Sequence, residues 1–388
     1  MGKTLKIGLP IFIVAINMRA GLIMIGPLIP ILHKEYGTSI FVESLLASAP
    51  LICFSITAWF MNNVIKKYQT NKIIFFAVSL LTSSLILRTV YGLTSLLIFS
   101  ITLGIAVAIL NYMLPVWVRE NVKSEVGLMT GTYAAIMGIC SSISLAITVP
   151  LSNINSNFSW RMAMIPWFVI GLIATFFWYG FRNKRTDHVD TGEKVDILKS
   201  TVIKNSDAWA LTIFFGCLNM IHYASAAWLP TVLISKGFDL KNSGYVVSIA
   251  TLIGAMLGLA APHYATRMKD FRLILMTFSS LLILAYLGII LDKGNRLIIW
   301  VILGNIGIYV TFAFALFLIV FKTEINHHTK ILSLMTQSVG YLMATMSPLI
   351  FGAIFSGTNN WQNSLAFLVA LAVLQVVISN KVGKDTKI

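Results

Sequence analysis

The chain has 388 residues, of which 57% are apolar and only 11% charged, and its mean hydropathy is +0.84. That balance excludes an ordinary soluble domain. The 29 Lys and Arg outnumber the 14 Asp and Glu, a net charge of +15 that membrane topology accounts for without nucleic acid as a partner.

Apolar runs long enough to cross a bilayer recur along the whole length, and the alternating segments of about ten residues that mark a barrel are missing. The reading is an all-α polytopic membrane protein with 12 transmembrane helices. Spans of about 20 residues or slightly more are predicted near 7–32, 42–65, 73–91, 95–118, 126–150 and 160–181. After a polar stretch, six more are predicted near 208–235, 243–266, 272–291, 296–321, 332–355 and 361–380. This divides the chain into a six-helix bundle at 1–181, a cytoplasmic linker at 182–207 and a second bundle at 208–388.

The first span carries Asn17-Met18-Arg19-Ala20-Gly21 and then Gly26-Pro27-Leu28-Ile29-Pro30. A guanidinium near mid-span costs about 2.5 to 3.5 kcal/mol on insertion scales, so a polar pathway is the expected reason for Arg19. Gly21, Gly26, Pro27 and Pro30 loosen the helical ladder beyond it. Lys3 and Lys6 precede this run, but no signal-peptide cleavage site follows, so the segment is expected to stay in the mature chain.

Further along, Lys66 and Lys67 make the loop after span two basic, and Arg88, near the outer end of span three, is expected to snorkel to headgroups. Asn111 in span four and Tyr133 in span five are expected to line a cavity. Gly127, Gly131, Ala135 and Gly138 suit close helix crossing. Trp160 and Trp361, opening spans six and twelve, are expected to anchor at the outer interface, with Trp228 at the outer constriction. In the second half, Asn219 and His222 in span seven, Tyr309 in span ten, and Gln337 and Tyr341 in span eleven complete the cavity candidates. Cys53, Cys140 and Cys217 all lie in apolar runs, so neither a disulfide framework nor a metal site is expected.

Orientation follows from the basic residues. With both termini cytoplasmic, 21 of the 29 Lys and Arg fall inside and six outside, while Arg19 and Arg88 lie within spans. The chain also repeats itself. Pro30 and Gly37 match Pro230 and Gly237 at an offset of 200, Leu128-Met129-Thr130 faces Leu334-Met335-Thr336 at 206, and Trp160 faces Trp361 at 201. Near-equal offsets in one order imply two parallel, pseudo-symmetric halves with a substrate site near the midplane. The alignment sets Asn219 opposite Arg19, with His222 one turn further on.

These segments, together with Val126-Gly127-Leu128-Met129-Thr130-Gly131, Ser159-Trp160-Arg161-Met162-Ala163 and Ala227-Trp228-Leu229-Pro230-Thr231, resemble the major facilitator superfamily. Within it they are similar to the branch of cyanate-permease and nitroimidazole-transporter-like proteins. The resemblance implies that superfamily's fold, alternating access, a monomer in the plasma membrane and inner-gate loops at Lys66, Lys67, Arg267 and Arg272. One departure stands out: the superfamily's loop after span two resembles G-x-x-x-D-R-x-G-R-R, whereas here it reads Asn62-Asn63-Val64-Ile65-Lys66-Lys67-Tyr68-Gln69-Thr70-Asn71.

None of the acidic residues falls in the middle of a span. Arg19 is therefore expected to pair with polar groups such as Asn17 or to receive an anion, for which a guanidinium offers a bidentate grip. His222 is the candidate proton carrier, since histidine titrates near physiological pH. The favoured function is a secondary carrier of a small anionic solute, with or without protons. The alternative is efflux of a neutral or weakly basic drug-like compound such as a nitroimidazole. A non-transporting membrane enzyme or receptor is the remaining class, but no nucleotide loop, metal cluster or nucleophile constellation supports it and no cofactor is expected.

Overall fold

The computed structural model describes residues 2–122, 126–155, 158–183, 201–265, 268, 270–323 and 326–388. Most of the expected linker, 184–200, lies outside the described residues, as do Arg267 and the side chain of Lys66.

The described residues form helices throughout. In the first half these are α1 (Gly2–Ile23), α2 (Ile25–Tyr36), α3 (Ile40–Lys67), α4 (Thr70–Leu87), α5 (Gly92–Asn121), α6 (Val126–Ser152) and α7 (Ile165–Phe181), with a 3-10 turn at Ser159–Met164 before α7. The second half holds a short α8 (Thr201–Lys204), then α9 (Ser206–Ser235), α10 (Leu240–Ala265), α11 (Arg272–Leu291), α12 (Leu297–Phe321), α13 (Asn326–Thr358) and α14 (Trp361–Val382). Among the described residues eleven helices are long and apolar enough to cross a membrane, and α1 with α2, bent by 42°, passes the same test as a pair, which makes up to twelve. The chain is thus a multi-pass membrane protein, as its apolar runs require.

The bend has a local cause. Pro27 has no N–H to give to the Ile23 carbonyl, and Gly26 offers no side chain to hold the turn. The last hydrogen bond of α1 runs from Met24 N to the Ala20 carbonyl, and α2 opens at Ile25. At the matching place in the second half Ala226 and Ala227 replace Gly26 and Pro27, and α9 runs unbroken from Ser206 to Ser235 despite Pro230. Side-chain caps fix two other helix starts: Asn205 accepts from Asp207 N ahead of α9, and Asn360 from Gln362 N ahead of α14. Gly37, at φ 59°, closes α2 by donating to the His33 carbonyl.

Contacts divide the chain into two compact units, Met1–Thr38 with Leu45–Gly192, and Ser39–Ser44 with Glu193–Ile388. Inside the first, α1 packs on α6 and α7, and α4 on α5 and α7. Inside the second, α9 packs on α13 and α14, and α11 on α12 and α14. Counted as spans, one with five and six, and three with four and six, recur as seven with eleven and twelve, and nine with ten and twelve. The offset seen in the sequence is thus a repeat of packing.

Glycine sets the closest approach in the second unit. A Cβ at Gly254 would lie 2.7 Å from the Asn305 carbonyl oxygen, and one at Gly258 would lie 2.9 Å from that of Tyr309. The four-residue spacing puts both on one face of α10, so the backbone of α12 can rest against it. By contrast, a Cβ at Gly131 would meet nothing within 4 Å, so no neighbour closes on that glycine.

Three outer tryptophan and arginine expectations are corrected. Trp160 is fully buried rather than at an interface, with the Arg161 guanidinium 4.7 Å from its ring centroid. Trp228 is 1% exposed and donates Nε1 to the Pro348 carbonyl, so it is core, not constriction. Arg88 does not snorkel: it is 0% exposed and its guanidinium points inward. Its side chain finds its acceptors inside the bundle, at the Gly21 carbonyl and Ser100 Oγ.

Candidate functional site

In the first unit, Arg19 stands on the accessible face of α1. Leu9 is exposed and Phe12, Ile16 and Arg19 are half-buried at helical spacing, while Val14, Ala15, Met18 and Ala20 are buried. Arg19 is the polar member of this otherwise apolar stripe.

Asn17 does not share that face. Two residues along an α-helix turn through about 200°, so the side chains of Asn17 and Arg19 leave opposite sides. Asn17 is 3% exposed and donates Nδ2 to the Trp167 carbonyl of α7 at 2.8 Å. Gly171 makes this approach possible, because a Cβ there would lie 2.6 Å from Thr82 Oγ1 and 3.0 Å from Asn17 Nδ2. Thr82 in turn bonds to Thr175 Oγ1 at 3.1 Å. Asn17 therefore belongs to a polar seam joining α1, α4 and α7, which corrects its expected place beside Arg19. Asn111 on α5 is half-buried, and Tyr133 on α6 is buried at 7% exposure.

In the second unit the structure gathers His222, Tyr309 and Tyr341 into one aromatic cluster. The His222 ring stands edge-on to Tyr309, with centroids 5.7 Å apart at 80°, and to Tyr223 at 4.9 Å and 67°. Tyr223 carries the cluster to Tyr341 at 6.4 Å, and Phe215 closes it with Tyr341 at 6.0 Å. A Cβ at Gly340 would lie 2.5 Å from Phe215 Cδ1, so the absence of a side chain there lets α13 approach α9. His222 is one of few half-buried positions on a helix that is otherwise almost wholly buried.

Asn219 takes another direction. It is 1% exposed and donates Nδ2 to the Phe215 carbonyl of its own helix, so of the two polar candidates on α9 the accessible one is His222 and not the residue aligned with Arg19. Gln337 is exposed and donates Nε2 to Ser333 Oγ one turn away. Sequence reasoning missed Tyr223 and Phe215. The signal was the spacing of Phe215, Asn219 and Tyr223 at i, i+4 and i+8, one stripe of α9.

Of the expected gate residues, Lys67 is exposed with its ammonium 5.6 Å from the Tyr68 ring centroid. Arg272 folds back on Asp270, with Nη2 at 2.6 Å and Nε at 2.9 Å from Oδ2, while Asp270 Oδ1 accepts the Arg272 N–H. Those hydrogen bonds hold the exposed Asp270 carboxyl below its ordinary range. Among the described residues, no group of three His, Cys, Asp or Glu side chains could hold a metal ion.

A family model for the Major Facilitator Superfamily matches residues 11–348. The chain belongs to that superfamily. It is 25% identical over 379 residues to the 2-nitroimidazole transporter of Escherichia coli (strain K12), covering 97% of this chain and 95% of that protein. The cyanate transport protein CynX of the same organism is 25% identical over 383 residues, 95% of each chain. Among solved structures, a bacterial homolog of the human lysosomal transporter Spinster, inward-facing and unoccupied, superposes with a TM-score of 0.80 over 98% of each chain at 11% identity, a likeness of fold alone. Family and relatives are transporters and not enzymes, and this member of the Major Facilitator Superfamily is accordingly a membrane transporter.

Proposed function

We propose that the chain is a secondary active carrier of a small anionic solute, with Arg19 as the charge that binds it. The observation that carries this reading is the exposure of α1: Arg19 keeps partial access while Met18 and Ala20 on either side are 1% and 0% exposed. A guanidinium held at that depth is an expensive group, and its planar donors match a carboxylate-like or linear anion. The cyanate transport protein among the relatives lends the reading a substrate class. His222 is proposed as the group that takes and releases a proton during net transport, and alternating access as the mechanism. The Lys and Arg distribution supports cytoplasmic termini, and we propose a plasma-membrane carrier that works as a monomer with a cytoplasmic linker joining two bundles.

A second reading rests on the aromatic cluster. His222, Tyr223, Tyr309 and Tyr341 offer ring edges and faces to a neutral heterocycle, and the 2-nitroimidazole transporter is a relative over nearly the whole chain. Proteoliposome uptake separates the two. Labelled cyanate is expected to enter the wild-type vesicles and to be excluded in Arg19→Gln and Arg19→Lys. Transport of 2-nitroimidazole that is indifferent to both substitutions, with no cyanate uptake, would establish the second reading instead.

A further inference from the structure

Arg88 is the other arginine inside the spans, and transport as proposed above does not use it. It stands at the C-terminal end of α4 and is completely buried. Nη1 donates to the Gly21 carbonyl at 2.7 Å, and Nη2 to Ser100 Oγ on α5 at 2.8 Å. Ser100 passes the chain on by donating to the Leu96 carbonyl.

Gly21 lies where the first span is interrupted. The final α1 hydrogen bond ends on the Ala20 carbonyl, so the Gly21 carbonyl falls in the break, and Arg88 supplies it with a donor. Ser144 Oγ of α6 adds a bond to Ala20 at 3.0 Å. A helix broken in a membrane must have its freed carbonyls received by protein, and a charged donor makes the stronger bond.

The far end of α2 is fastened to the same turn. Arg161 donates Nε to the carbonyl of Thr89, the residue after Arg88, at 3.1 Å, and Nη2 to Tyr36 Oη at 2.9 Å. Its Nη1 also lies 3.3 Å from Glu35 Oε1. The end of α1 before the break and the far end of α2 are thus both fastened at residues 88–89. The second half shows the complementary absence. There α9 is unbroken, the Ile221 carbonyl is bonded by Ser225 of the same helix, and the residue that caps α11, where Arg88 caps α4, is Asp292.

We infer that Arg88 is a positioning residue that sets the bend between α1 and α2 and, through Gly21, the direction in which Arg19 is presented. The second clause rests on the anion reading; the first does not. Without the guanidinium the Gly21 carbonyl is left to the Ile25 N–H, a bond that straightens the span as far as Pro27 allows.

The test is a distance measured across the break in the full-length protein. Nitroxides are placed at Leu9→Cys and Lys34→Cys, both exposed, after Cys53, Cys140 and Cys217 are replaced by Ala. Double electron–electron resonance is expected to give one narrow distribution with Arg88 present. Arg88→Met is expected to give a broader and longer one, moving toward the roughly 38 Å that 25 residues of uninterrupted helix span. Arg88→Lys, which keeps a charged donor, is expected to restore part of the narrow peak. A distribution in Arg88→Met that superposes on the parent would overturn the inference. If that variant does not fold, Ser100→Ala carries the same test: broadening supports the inference and superposition contradicts it. Because no substrate is involved, the outcome is separate from that of the anion reading. Arg19→Gln should leave the distance unchanged, and a change in it would show that the bend follows Arg19 rather than Arg88.

Discussion

His222 on α9 meets Tyr309 on α12 edge to face, their ring centroids 5.7 Å apart at 80°. The contact joins the titratable side chain of span seven to a tyrosine whose own carbonyl rests on Gly258 of α10. A proton gained or lost at His222 would therefore change the electrostatics of a ring fixed in a helix pair, which is how a local charge can be felt by packing. His222→Ala is expected to remove the dependence of net transport on an imposed pH gradient while exchange across the membrane continues. Flux measured in vesicles with and without the gradient checks it; unchanged gradient dependence would rule out His222 as the proton carrier.

The seat of Tyr309 can be tested apart from His222. Gly258→Val puts carbon against the Tyr309 carbonyl, where even a Cβ would lie at 2.9 Å. Overpacking against backbone of this kind costs about 1 to 3 kcal/mol. Thermal unfolding of the purified variant should show that loss. Gly131→Ala, with nothing within 4 Å of the added carbon and a better helix former in α6, should unfold no earlier than the parent.

Asn17 offers a way to separate packing from binding on one helix. Its Nδ2 bond to the Trp167 carbonyl is an interhelical bond of a kind that averages about 0.6 kcal/mol in membranes, and its Oδ1 has no partner among the described residues. Asn17→Ala is expected to lower thermal stability slightly and to leave the concentration dependence of uptake unchanged. A large rise in KM without a stability change would place Asn17 at the substrate after all.

How far the sequence could be read follows from these cases. Span positions and the repeat were legible because length, hydropathy and order are linear properties. Azimuth was not: Asn17 and Arg19 are neighbours in the text but diverge by about 200° around the helix. Asn219 aligns with Arg19 by offset, yet its amide bonds its own helix and His222 takes the accessible position. Arg88 was misjudged for a related reason. Snorkelling considers only the distance to the membrane surface, whereas its acceptor is a carbonyl exposed by a break in another span. The break itself was signalled by Gly26-Pro27, but no rule of spacing ties it to residue 88.

A different region of the second unit predicts a protease result. Lys322, fully buried after α12, donates Nζ to the Lys384 carbonyl at 2.8 Å and to Thr386 Oγ1 at 3.2 Å. Thr386 also bonds Asp207 Oδ2 at 2.8 Å, and the Phe271 N–H takes the Gly383 carbonyl at 2.9 Å. Residues 383–388 are thereby laid against α9, α11 and α12. Lys322→Met removes the donor at the centre of this fold-back, so trypsin should cut after Lys384 at least tenfold faster in the variant. Equal rates would mean that the other contacts hold the segment unaided.

The claim on which the functional account depends is that Arg19 binds the transported anion. It is tested most directly by thermal unfolding of the purified protein against small linear and carboxylate anions and neutral heterocycles, with wild type and Arg19→Gln side by side. A ligand that binds the folded state raises its apparent stability by mass action, by about 2.7 kcal/mol at a hundred times its Kd. An anion is expected to stabilise the wild type, and Arg19→Gln to lose the effect while keeping its own unfolding temperature. Equal stabilisation of both proteins by the same anion, or stabilisation by neutral heterocycles alone, would contradict it.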